Sequence, residues 1–134
     1  MENLKEIRWK QRFENFDKSY KLLKKYSNQE ITTELERAGI IQFFEMTFEL
    51  AWKTLKDYLE YLGISLNTGS PREVLKESYS HNLIENGDIW INMMLSRNSL
   101  SHLYDEEESR KIYYEIKNKY IFEIEKLVKF IEYK

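Results

Sequence analysis

TELERAGIIQFFEMTFELAWKTLKDYLEYLG, residues 33–63, decides the fold. Within it Ile40, Phe44, Phe48, Trp52, Leu55, Leu59 and Leu62 recur at spacings of three and four, which lays them along one face of an α-helix. Thr33 stands at its start with Glu36 three residues on, the capping-box arrangement that satisfies free N–H groups at a helix N-terminus. Gly63 stands at the other end, where a chain leaving a helix often needs a left-handed residue. The pattern therefore predicts one long amphipathic helix. Gly39 lies inside it, either to allow a close backbone approach or to mark a later start.

Outward from this helix the same period continues in both directions. Upstream, Trp9, Phe13, Phe16, Tyr20 and Leu23 form a second apolar stripe that the polar Ser27-Asn28-Gln29 closes. Downstream, a linker over 64–69 leads to Ser70-Pro71-Arg72-Glu73, with Ser at the N-cap, Pro at the first helical position and Glu at the third. The short helix begun there ends near His81 and Asn82. Gly87-Asp88 breaks the next segment, after which Ile91, Met94, Leu95 and Asn98 continue helically. Asp105 then reads as an N-cap with Glu108 in capping-box position, opening a last helix with inner face Ile112, Ile116, Tyr120, Ile124, Leu127 and Ile131. No stretch alternates as a strand would, and one proline and four glycines leave few breakers. The expected fold is all-α: one domain over 1–134, an antiparallel up-and-down bundle of about four long helices plus one short helix.

Composition bounds the function. With 42% hydrophobic and 33% charged residues, the chain can segregate an inside from an outside. Its 134 residues suit a single core. A net charge of -2 argues against a protein that coats nucleic acid non-specifically, so contact with RNA requires a local patch or a cleft formed by assembly. There is no cysteine, which removes disulfides and thiolate chemistry, and His81 and His102 alone do not make a closed zinc site. No metal or cofactor is expected. No apolar run suits a membrane span, and Met1–Lys5 lacks a signal-peptide core, so the expected compartment is the cytoplasm.

The candidate site is Arg97-Asn98-Ser99-Leu100-Ser101-His102-Leu103-Tyr104, which joins a permanent cation to a titratable imidazole. On a regular helix five residues turn the chain by roughly 140° and advance it about 7.5 Å, so Arg97 and His102 would point to different sides. Either the helix breaks before His102, or the two cooperate across a symmetric dimer in which each motif meets its twin. Asn98, four residues before His102, could orient the imidazole or a substrate. The plainer readings are a capping histidine and an arginine paired with a carboxylate. Glu45, Glu49 and Lys53 form a row on the long helix, where the two carboxylates repel unless a cation stands near them. Arg97 is the expected cation, which makes Glu45 and Glu49 the residues that position the motif.

Arg97-x4-His102-x-Tyr104 resembles the Arg-x4-His-x-Tyr signature of HEPN-domain proteins. The block Phe44-Glu45-Met46-Thr47-Phe48-Glu49-Leu50-Ala51-Trp52-Lys53, the Ser70-Pro71-Arg72-Glu73 start and Trp90 before Arg97-Asn98 resemble the branch called nucleotidyltransferase substrate-binding proteins. The resemblance covers almost the whole chain. It implies a helical bundle that dimerises and a metal-independent ribonuclease whose paired motifs form the cleft. It also implies a minimal nucleotidyltransferase as partner, in some pairs an antitoxin that attaches AMP to the motif tyrosine. On this chain His102 would be the general acid or base, Arg97 the phosphate-stabilising cation and Tyr104 the modification site. The alternative is a non-catalytic subunit that binds substrate or nucleotide for the transferase.

Overall fold

The structure, a computed structural model, describes residues 3–99 and 105–134. Five helical rods pack around one core: α1 (Leu4–Ser27), α2 (Glu34–Tyr61), α3 (Pro71–Ser80), α4 (Gly87–Asn98), and a last rod made of α5 (Glu106–Glu115), a π-helical turn (Ile116–Tyr120) and α6 (Ile121–Glu132). Three of them are long; α3 and α4 have 10 and 12 residues. Among the described residues there is no strand, and no helix is long and apolar enough to cross a membrane.

Side-chain pairs give the topology. Contacts of α1 with α2 run in opposite senses, from Tyr26 on Phe43 through Ser19 with Thr47 to Arg12 with Asp57. The last rod runs parallel to α2, since Arg37 meets Ser109 and Phe44 meets Tyr120. It is antiparallel to α4, where Asn86 meets Glu123 and Ser96 meets Tyr120. The long elements with α4 therefore go up, down, up, down, and α3 bridges α2 and α4.

Local chemistry explains the helix ends. Thr33 and Glu36 exchange bonds of 3.1 and 3.0 Å as a full capping box. Gly63, at φ 85°, turns the chain out of α2, while the N–H groups of Gly63 and Ile64 return to the carbonyls of Glu60 and Leu59. Asn82, at φ 61°, does the same after α3, where the N–H groups of Asn82 and Leu83 return to the carbonyls of Tyr79 and Ser78. Gly39 is neither a start nor a close approach: α2 runs through it, and a Cβ there would meet nothing within 4 Å. Gly87 opens α4, after Asn86, whose amide donates to the buried Glu123 at 2.7 Å instead of capping the helix.

Glu73 departs from a simple capping box. Its carboxylate reaches past Ser70 to accept from the N–H groups of Asn67, Thr68 and Gly69 at 2.7, 2.9 and 2.8 Å, and so ties the linker to α3. These bonds, Asn67 first, then Thr68 and Gly69, pull its pKa from the ordinary 4.5 to about 2. A depressed folded pKa means that the linker's anchor is fully present above the ordinary carboxylate range and is lost as pH falls from about 4.5 towards 2. Glu73→Gln is accordingly expected to speed hydrogen exchange at the Asn67, Thr68 and Gly69 amides at neutral pH. Unchanged protection there would show that the carboxylate does not hold the turn.

The core forms where the stripes meet. Phe16, Leu23, Phe44, Phe48, Leu55, Leu59, Ile116 and Ile124 are completely enclosed. The last rod carries the one irregularity among the described helices. Ile112, Ile116, Tyr120 and Ile124 are spaced by four, and four residues overshoot an α-turn by roughly 40°, so the stripe would drift off the core. The wider turn at Ile116–Tyr120, closed by the Ile121 N–H on the Ile116 carbonyl, absorbs the drift and keeps all four buried.

Candidate functional site

α4 is apolar on more than one side, and its buried side seats Trp90, Met93 and Met94 in the core, with Trp90 against Phe48 of α2. That docking brings the last turn of α4 to the middle of α2. There Arg97 forms an ion pair through Nη2 with Oε1 of Glu49. The other oxygen, Oε2, accepts from the indole N–H of Trp52 at 3.2 Å and lies 3.9 Å from Nζ of Lys53. One carboxylate thus gathers a guanidinium, an ammonium and an indole. The Arg97 side chain stays 31% exposed, so part of the guanidinium remains available to an anion from solution. Asn98 accepts from Arg97 Nη1 at 3.4 Å, close enough to bias the fork's orientation.

Glu45, one turn earlier on α2, has no ion pair among the described residues; the two carboxylates do not share Arg97. Arg97 reaches only the second of them because α4 crosses α2 with Trp90 packed at Phe48. Unequal effects follow. Glu49→Ala, which strips Arg97 of its carboxylate and Trp52 of its acceptor, is expected to cost about 1–3 kcal/mol in urea unfolding. Glu45→Ala should stay within about 0.5 kcal/mol. Equal costs at the two positions would contradict this assignment.

The opposite side of α4's last turn is held from the last rod. The hydroxyls of Ser96 and Tyr120 are 2.7 Å apart, and the Tyr120 ring stacks on Phe44 at 5.4 Å. Burial pushes the Tyr120 hydroxyl above the ordinary tyrosine value, the Ser96 bond opposes this, and Glu115 adds to it, so the phenol is neutral across the physiological range. Ser99 closes α4 with a 2.8 Å bond from its hydroxyl to the Ser96 carbonyl. A polar groove of about 410 Å³ runs here between α4 and the last rod, lined by Asn92, Ser96, Ser99, Lys111, Lys119 and Tyr120 among others.

α4 ends at Asn98, and α5 opens at Asp105, whose side chain accepts from the N–H groups of Glu107 and Glu108. His102 and Tyr104 lie outside the described residues. The other histidine has a local role: His81 caps α3, its Nδ1–H donating to the Glu77 carbonyl at 2.9 Å.

Sequence periodicity places Trp52 in the core stripe and Lys53 in the row with Glu45 and Glu49, but does not single out Ser96 or Tyr120 as neighbours of the motif. A signal for Trp52 exists: Glu49 and Trp52 are three apart on the same helix face and can meet. Ser96 and Tyr120 are 24 residues apart, and no local pattern couples them.

The same bundle, with a related sequence, recurs in known proteins. The model of a family described as nucleotidyltransferase substrate binding protein like matches residues 11–133. Probable ribonuclease HepT from Haemophilus influenzae is 32% identical over 82 residues, which is 59% of this chain and 56% of that protein. The match thus spans little more than half the length of this curated relative. A crystal structure of a Thermus thermophilus protein is similar with TM-score 0.76 and 28% identity, over 84% of this chain and 95% of that one. A Haemophilus influenzae structure, described as revealing the fold of a substrate binding domain of a nucleotidyltransferase, has TM-score 0.75 and 24% identity over 90% and 98%, and shares the fold.

Proposed function

The chain belongs to the nucleotidyltransferase substrate-binding-like family, and from that premise we propose that it is the HEPN component of a two-component module whose partner is a minimal nucleotidyltransferase. Its activity in this reading is metal-independent cleavage of RNA in a cleft formed by two copies of the chain. The observation that carries the reading is Arg97, anchored by Glu49 at the end of α4 with part of its guanidinium free, five residues before His102. The name of the Haemophilus influenzae relative, a probable ribonuclease, supports it.

The chemistry balances without a metal. The ribose 2′-hydroxyl attacks the adjacent phosphorus, the bond to the 5′-oxygen breaks, and the products are a 2′,3′-cyclic phosphate and a free 5′-hydroxyl. One proton leaves the 2′-oxygen and one reaches the 5′-oxygen. An imidazole, which titrates near neutrality, suits either transfer, and His102 takes that role. Arg97 stabilises the charge that builds on the non-bridging oxygens, and Asn98 orients the guanidinium. A two-fold arrangement supplies both an acid and a base from the same residue type. Tyr104 receives AMP from the partner, and the added bulk and negative charge beside the cleft repel RNA, which neutralises the toxin.

The second reading, a non-catalytic subunit that presents substrate or nucleotide to the transferase, draws on the family's description and on that of the Haemophilus influenzae structure. Purified protein, with Tyr104 shown by mass to be unmodified, incubated with total RNA and a metal chelator separates the two. Cleavage to cyclic-phosphate ends is the expected result. Intact RNA would overturn the ribonuclease reading and leave the substrate-binding one.

A further inference from the structure

Three tryptophans occupy very different positions. Trp9 and Trp90 are buried, at 3% and 1% exposure, inside the bundle. Trp52 is partly open, although its neighbours along the α2 stripe, Phe48 and Leu55, are fully closed. Its indole N–H bonds to Oε2 of Glu49, the same carboxylate that holds Arg97, and the ammonium of Lys53 lies 3.9 Å from that oxygen. An aromatic plane is therefore fixed beside two cations by a single shared side chain. The Lys53 side chain is 43% exposed, so its ammonium, like the guanidinium, can reach an external anion.

Building on the ribonuclease reading, we infer that Trp52 is a stacking platform for a nucleobase of single-stranded RNA, with Arg97 and Lys53 taking the phosphates on either side of that nucleotide. Each part meets a different feature of the ligand. A guanidinium and an ammonium bind phosphate oxygens, and an indole face stacks on any base. Single strands offer unstacked bases that a duplex hides, so the cluster selects unpaired RNA. Glu49 pre-sets the arrangement: by holding the indole through its N–H, it fixes the ring plane before RNA arrives and lowers the cost of ordering it on binding. Two cations, Arg97 and Lys53, thus converge on one carboxylate of an acidic chain, with Glu45 one turn earlier on α2 as the fourth charge of the cluster.

The burial pattern supplies the readout, since an external ligand can reach Trp52 but neither Trp9 nor Trp90. The probe is a short 2′-O-methyl oligoribonucleotide, which binds but cannot be cleaved by 2′-hydroxyl attack, and its counterpart with abasic positions. Tryptophan emission of the full chain is followed on titration, and affinity is read separately by anisotropy of a labelled probe. In the parent, the base-bearing probe is expected to quench emission saturably. Trp52→Leu should lose that quench and bind about tenfold more weakly, whereas Trp52→Phe should lose the quench and keep most of the affinity. The abasic probe should bind the parent as weakly as the base-bearing probe binds Trp52→Leu. Equal affinity of the parent for both probes, or parent-like affinity in Trp52→Leu, would overturn the platform. If that happens while RNA is still bound and cut, the ribonuclease reading stands and the platform alone fails. Absence of any oligonucleotide binding overturns both. Unfolding curves of the two variants guard against a folding defect, and the phenylalanine variant keeps the test decisive if the leucine variant does not fold.

Discussion

His102→Ala is expected to slow RNA cleavage by about 10²- to 10⁴-fold, the usual contribution of a positioned acid or base. Arg97→Ala should cost about 10²- to 10³-fold, as removal of a charge-stabilising donor does. The two losses should not add, because residues that act in one step lose most of the rate when either is removed. The pH profile discriminates chemistry from folding. In the parent the rate should change across the imidazole range, about pH 5 to 8, and in His102→Ala the residual rate should be flat there. Arg97→Lys is a further check: a lysine keeps the charge but not the planar fork that reaches Glu49 and a phosphate together, so activity should stay well below the parent. A His102→Ala protein that cuts RNA at the parent rate would remove the imidazole from the mechanism.

The largest effect on stability is expected at Phe44. Its ring is fully buried, stacks on Tyr120 at 5.4 Å and lies 6.3 Å from Phe48, so it joins α2 to the π-turn at the centre of the bundle. Phe44→Ala removes the ring from a fully enclosed site and should cost about 3–5 kcal/mol. Urea unfolding should show a lower midpoint with an unchanged slope. Against total stabilities of about 5–15 kcal/mol for such domains, that is a large share. Tyr120→Phe is the control, since it keeps the ring and removes only the 2.7 Å bond to Ser96, for about 1 kcal/mol. A Phe44→Ala cost no larger than the Tyr120→Phe cost would mean that the stack is not closed as described.

The residues behind these two predictions differ in how legible they are. Phe44 stands out from its place in the α2 stripe, and Arg97 from its distance to His102. That Arg97 chooses Glu49 over Glu45 is not readable, because both lie on the same helical row and only the seat of Trp90 on Phe48 decides which one faces α4. The π-turn leaves a trace in the run of four-residue spacings at Ile112, Ile116, Tyr120 and Ile124. A regular helix is still the default reading, since one such turn adds a single residue's worth of phase. Trp52 counts as core in the sequence because a large aromatic on an apolar stripe is usually buried.

What the sequence by itself determined is the set of helices, their caps and the residues that line the core. Those follow from period, cap chemistry and the scarcity of breakers, which act over a few neighbouring residues. It also carried the motif with its spacing, and with that the family. Only the tertiary structure decided which side chains share a carboxylate, that the last rod needs a wider turn, and that Tyr120 meets Ser96 across 24 residues. Such contacts depend on the crossing of whole helices, and a crossing is set by how ridges of side chains from distant segments fit together.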